Sequence, residues 1–205
     1  MRSLCHVAFV LILCSTATVA QEWSPLSFTA AGGVSLPTKP QAFADYWSLG
    51  FNGGAAGGYS VARAWTLVGS VDYNYFGFDE EQFLKALGYE DAGLHTSGGA
   101  ASILTLTGGI KYALITREDS ESPYLIGTVG FFRVTSSDIT VSDDQSSVTF
   151  PGDSENALVL LFGAGVDIPS GSNINFFFEG KFGIGFTKNE STTFVPVKVG
   201  VRLRL

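Results

Sequence analysis

Apolar and polar residues alternate with a period of two along most of the chain, most cleanly over its last eleven residues. There Val195, Val197, Val199, Val201, Leu203 and Leu205 are separated by Pro196, Lys198, Gly200, Arg202 and Arg204. Successive side chains of a strand point to opposite faces, so this segment presents one aliphatic face and one polar, cationic face. The same reading predicts eight strands of about 9–13 residues, long enough to cross a bilayer when tilted. They fall at residues 26–36, 47–59, 65–75, 102–114, 124–134, 158–168, 174–186 and 195–205. One face of each carries Leu, Val, Ile and aromatic residues, and the other carries Gly, Ser, Thr, Asn and a few charges. In 124–134 both faces are apolar, and Tyr124, Ile126, Phe132 and Val134 are assigned outward.

The connections alternate in length. Residues 60–64, 116–122 and 169–173 form short turns; 37–46, 76–101 and 135–156 form long loops, with 187–192 intermediate. Residues 79–88 suit a short amphipathic helix with Phe83, Leu84 and Leu87 on one side. The pattern predicts an all-β protein, an eight-stranded antiparallel up-and-down transmembrane β-barrel. In that reading the short turns and both termini are periplasmic and the long loops are external.

Volume chooses the face that meets lipid. The interior of an eight-stranded barrel is only wide enough for side chains to fill, so the small polar face is assigned inward. The outward aromatics then fall at two levels, as an interfacial belt requires. Tyr59, Trp65, Tyr112, Tyr124 and Phe176 are placed at the periplasmic rim, and Trp47, Tyr75, Phe132, Phe186 and Phe194 at the outer rim. The lumen receives Asp72, Lys111, Arg133, Asp167, Glu179, Lys181, Lys198, Arg202 and Arg204. Charges in so narrow a space must be paired or wetted. With Phe186 set opposite Thr193, Glu179 lies opposite Gly200 and becomes the expected hub of an ion-pair network that plugs the lumen. A gated ion path is the alternative for the same residues.

Composition agrees with strands in a membrane. Hydrophobic residues make up 45% of the chain and charged residues 15%, against about a quarter charged in an average soluble protein. Residues 1–20 read as a cleavable signal peptide: Arg2, an apolar run from Val7 to Leu13, then small residues before cleavage after Ala20 or Ala17. Residues 21–205 form the barrel domain. Both cysteines, Cys5 and Cys14, lie in the signal, leaving His95 as the single histidine beyond it. No metal site and no cofactor are expected from so few ligands. The net charge of −7 and a pI near 4.7 exclude nucleic acid as an expected partner.

Lys198-Val199-Gly200-Val201-Arg202-Leu203-Arg204-Leu205 resembles the C-terminal assembly signal of the small OmpA/OmpX-type outer-membrane barrels. That pattern sets a polar residue, here Lys198, ahead of Gly200 and the hydrophobic Leu203 and Leu205. Leu205 stands where the family usually ends in Phe or Tyr. Pro123-Tyr124-Leu125-Ile126-Gly127-Thr128-Val129-Gly130 is similar to the opening of the fifth strand in such proteins. The resemblance covers essentially all of 21–205. It implies an outer-membrane location, with lipid, lipopolysaccharide, the barrel assembly machinery and periplasmic chaperones as partners.

His95-Thr96-Ser97, with Glu90 and Asp91 upstream, is the one stretch with the residue types of nucleophilic catalysis. It resembles the His-x-Ser motif of lipid A deacylases, which lies near the C-terminus in that family and over a hundred residues from it here. The long loops are acidic, with Asp79, Glu80, Glu81, Glu90 and Asp91 in one and Asp138, Asp143, Asp144, Asp153 and Glu155 in another. They are candidates for a surface ligand. The chain therefore reads as a barrel without catalytic activity, serving envelope structure or surface interaction. Its rivals are a lipid A-modifying enzyme using His95 and Ser97, a small-solute or ion pore, and a lipocalin-like secreted barrel. The last fails because eight strands cannot enclose so many Phe, Trp and Leu side chains.

Overall fold

The computed structural model describes residues 25–89, 95–116, 120–142, 147–171, 173–188 and 190–205. The expected signal peptide, and Glu90, Asp91, Asp143 and Asp144 of the acidic loops, lie outside them. The barrel strands are β1 (Leu26–Lys39), β2 (Gly50–Ala62), β3 (Trp65–Phe76), β5 (Ala101–Ala113), β6 (Ser122–Ser136), β9 (Ser154–Pro169), β10 (Ile174–Gly185) and β11 (Thr192–Arg204). Each pairs antiparallel with its neighbour in chain order, and β1 pairs with β11, so the sheet closes. Closure leaves no free edge among these eight strands. The structure is the predicted up-and-down barrel.

The long connections carry structure of their own. A helix α1 (Gln41–Tyr46) follows β1, and the predicted amphipathic helix is α2 (Glu80–Ala86). Asp79 caps α2 by accepting from the Gln82 amide at 3.1 Å. In α2 Leu84 is buried and Phe83 packs on Tyr46 and Phe78, whereas Leu87 is exposed, not on the packed side. The strands β4 (His95–Gly98), β7 (Ile139–Ser142) and β8 (Ser147–Phe150) form a second, three-stranded sheet in the order β4-β7-β8. Strand periodicity within loops of such mixed polarity is too short to read from sequence.

Outward and inward residues alternate as expected on most strands. Phe28, Phe51, Leu67, Val71, Leu104, Leu106, Leu160, Phe162, Phe178 and Val199 point outward and are exposed. Ser70, Thr105, Thr107, Lys111, Asp167, Glu179 and Lys198 point inward and are buried. Strand β6 has the opposite orientation from the one expected. Tyr124, Ile126 and Phe132 are buried inside, while Leu125, Val129, Phe131 and Arg133 face out. Arg133 is thus not a lumen residue. Its parity is fixed by the register of β6 with β5, in which Tyr112 pairs with Leu125 and Leu106 with Phe131, aligning the outward rows.

Candidate functional site

The interior is stacked in three layers along the barrel axis, from the end that carries the termini to the end that carries the long loops. The first is ionic. Asp167 receives both Lys111 and Arg202, one on each oxygen. Above them Lys181 pairs with Glu179 at 2.7 Å, and Lys198 with Asp72 at 2.5 Å. The Tyr124 hydroxyl donates to the other oxygen of Glu179 at 2.9 Å. Lys111 sits over the Tyr124 ring at 4.1 Å, and Arg202 over the Phe177 ring at 5.0 Å, adding cation–π attraction. Arg204 donates to the Asn175 side-chain oxygen at 2.7 Å.

All eight charged residues assigned to the network therefore line one interior, but their pairing differs from the expected one. Glu179 is registered to Lys198, and Phe177 rather than Glu179 lies opposite Gly200. The β10–β11 ladder is two residues out of step with the expectation, and it sets Gly183 opposite Phe194 and Gly200 opposite Phe177, where the expected register would set Arg202 opposite Phe177. A β-carbon on Gly183 would come within 2.8 Å of the Phe194 ring. Asp167, with two cations, is the more connected carboxylate; Glu179 is shared by one lysine and a tyrosine.

The second layer is neutral and hydrogen-bonded. Ser35 donates to Asn74 at 2.7 Å, Asn52 donates to Ser35 at 2.9 Å, and Asn74 reaches the Ile103 carbonyl at 3.3 Å. The third is apolar and closes the loop end. Phe76, Ile103, Phe132, Val159, Leu161 and Phe194 pack there around Phe43, which α1 lowers into the mouth. Phe43 meets Phe76 edge-on at 5.0 Å. The indole nitrogen of Trp47 donates to the Gly99 carbonyl at 2.7 Å, and its ring lies against this cluster.

Four expected girdle aromatics are thus elsewhere. Tyr124, Phe132 and Phe194 are inside the barrel, and Trp47 is part of the lid over its mouth. Phe194 shares parity with Pro196 and Lys198, so it could not join the outward row of β11. The reason the interior holds large rings is glycine on the facing strand. Tyr124 is registered to Gly165, Phe194 to Gly183 and Phe177 to Gly200, while the Phe132 ring rests over Gly185. The remaining six girdle residues are outward: Tyr59, Trp65, Tyr112 and Phe176 towards the terminal end, Tyr75 and Phe186 towards the loop end. Trp65 and Tyr112 are registered partners with rings 4.6 Å apart. Phe51 and Phe131 also stand on the outer face, the most exposed of the outward aromatics.

The residues of the C-terminal pattern have structural places as well. Lys198 is in the ionic layer, Gly200 makes room for Phe177, and Leu203 and Leu205 face out. His95 and Ser97 lie on β4, in the small sheet outside the barrel, and both are exposed. Among the described residues no hydrogen bond joins their side chains. The carboxylate that reaches β4 is Glu80, and it accepts from the Thr96 backbone amide at 2.5 Å rather than from the imidazole. Among the described residues no cluster of three His, Cys, Asp or Glu could hold a metal.

Comparison with known proteins rests on structure alone. No family model and no curated sequence matches the chain. Among solved structures, Neisserial surface protein A (NspA) superimposes with a TM-score of 0.60 at 15% identity, covering 89% of this chain and 98% of that one. A major outer membrane protein from Thermus thermophilus gives 0.54 at 12% identity, covering 88% and 99%. Ail, the attachment invasion locus protein of Yersinia pestis, gives 0.50 at 14% identity, covering 88% and 100%. The chain has the fold of the small eight-stranded outer-membrane barrels. Beyond the barrel wall this chain carries the lid formed by α1 and Trp47 and the three-stranded sheet at the loop end.

Proposed function

We propose that this barrel is an integral protein of a bacterial outer membrane, without catalytic activity, that acts in envelope structure or surface attachment. The observation that carries the reading is its inverted partition of polarity. Phe51 is 72% exposed, Phe131 67% and Leu106 59%, on a closed wall around buried ion pairs. Water would penalise such a surface at about 25 cal/mol per Å² of apolar area, whereas acyl chains would not. The termini face the periplasm and the loop sheet faces outward, in keeping with long external loops and tight periplasmic turns. The signal at 1–20 and recognition of Lys198, Gly200, Leu203 and Leu205 by the assembly machinery belong to the same proposal.

The interior supports a sealed lumen. The ionic layer and the apolar layer lie in series, and the side chains of the apolar layer offer no group that could replace the water around a passing ion. Ligand contact is then left to the loop end. Asp138, Asp153 and Glu155 stand on or beside the external sheet, with Val148 and Phe150 exposed on β8. A neighbour named for attachment and invasion fits a surface role.

Residues 21–205 contain no cysteine, so a single introduced thiol reports topology. Thr149→Cys should react with a membrane-impermeant maleimide in intact cells, and Ala64→Cys only after permeabilisation. Fractionation should place both in the outer membrane, with a heat-dependent shift on gels. A soluble, detergent-independent monomer would overturn the membrane assignment; the reverse labelling pattern would overturn the orientation. Deletion of 137–153, assayed for adhesion and phage sensitivity, tests the surface role.

A further inference from the structure

Among the described residues the interior holds more cations than its carboxylates neutralise. Asp72, Asp167 and Glu179 are already engaged by Lys198, Lys111, Arg202 and Lys181. Two guanidinium groups are left over at the terminal end. Arg63 stands on the β2–β3 turn and Arg204 at the end of β11, and both line a cavity of about 780 Å³. Arg204 is registered to Ser27 of β1, and Arg63 follows β2, the strand on the other side of β1. Arg204 contacts the Asn175 amide oxygen. Among the described residues neither arginine has a carboxylate partner, and Glu121 of the neighbouring turn does not line the cavity.

The cavity is built for a polar occupant. It opens at the terminal end and runs up to Lys181, Lys198 and Asp72, beyond which the amide and apolar layers block it. Ser27, Thr29, Ser60 and Thr66 add hydroxyl donors along the same wall. A blind, polar-lined pocket with low-dielectric walls focuses the field of uncompensated charge. Guanidinium groups present paired N–H donors that match the oxygens of a phosphate.

We infer that this cavity binds a small phosphate-type oxyanion, which enters from the terminal end and is held at Arg63 and Arg204. The positive interior behind them supplies the attraction, and the hydroxyl groups complete the donor set. The site concerns the interior alone and is independent of which side of the membrane the termini face. The phosphate could be dissolved, or it could be the head group of a membrane lipid at the rim, since both present the same oxygens.

The test uses the barrel refolded in an uncharged, phosphate-free detergent and titrated calorimetrically with tripolyphosphate at low salt. One saturable site is expected, weakening as salt is raised. The double variant Arg63→Gln/Arg204→Gln should bind at least about tenfold more weakly, as loss of two charge-assisted contacts implies. Lys39→Gln, exposed at the loop end, should bind as the parent does. The heat-dependent gel shift establishes that each variant is folded; if the double variant is not, Arg63→Gln alone, on an exposed turn, takes its place. Absence of saturable binding, or equal affinity in the arginine variants, or equal weakening by Lys39→Gln, overturns the site. A parallel titration with short-chain phosphatidylglycerol distinguishes the sources. Tighter binding than tripolyphosphate assigns the head group, weaker binding assigns the dissolved anion, and failure of both overturns the inference.

Discussion

Replacing Gly185 by alanine would set a methyl group 2.5 Å from one carbon of the Phe132 ring and 2.7 Å and 3.0 Å from two others. Optimal carbon contacts lie at about 3.5–4.0 Å, so the overlap is about 1 Å. The ring has no free direction in which to move: it is 2% exposed and packed in the apolar layer with Val159, Leu161 and Phe76. Overpacking of this kind costs about 1–3 kcal/mol, offset by the roughly 0.5–1 kcal/mol that alanine gains over glycine in a strand. A net loss of about 1–2 kcal/mol is expected. Phe132→Leu alone should cost a similar amount through the cavity it leaves. Together the two changes should cost less than their sum, with a coupling of at least about 1 kcal/mol. Gly180→Ala is the control, because a β-carbon there meets nothing within 4 Å. Urea unfolding from lipid vesicles, followed by tryptophan fluorescence, measures all four. If Gly185→Ala is no less stable than Gly180→Ala, or the coupling is below about 0.5 kcal/mol, the glycine–ring fit does not set the interior.

Three further outcomes follow from the same layers. Asp167→Asn strands Lys111 and Arg202 together and should cost about 3 kcal/mol, the low end for a broken buried pair beside a polar-lined cavity; Asp72→Asn, which strands Lys198 alone, should cost less in the same urea titration. Tyr124→Phe removes only the donor to Glu179 and should lower stability by about 1.5 kcal/mol; a neutral result would return Tyr124 to the outer face. Leu106→Lys, midway along an outward row, should cost about 2–4 kcal/mol in vesicles, as a cation at bilayer mid-depth does. Ser70→Ala on the inner wall at a similar height should cost far less, which the two urea midpoints would show.

Period-two alternation is a local property of the chain, and it determined the number of barrel strands, the closed antiparallel class and the faces of seven of them. Leu104, Leu106 and Ile110 could face only one way while Thr105, Thr107 and Lys111 faced the other. The residue types of the interior were legible too, since Asp72, Asp167, Glu179 and their cations share the small, polar rows. Beyond that, local pattern ran out. In β6 both rows are apolar, so nothing within residues 124–134 distinguishes Tyr124 from Leu125. The choice came from other strands, where Gly165 of β9 and Gly185 of β10 leave room for rings inside. The partners of Glu179 were likewise hidden, because a two-residue slip of β10 against β11 keeps every face and changes every pair. The loop lid was hidden for a different reason: α1 is six residues long, too short for a helical period to register. Alternation within a strand fixes which way a side chain points; what it meets there is decided by volumes contributed from across the barrel.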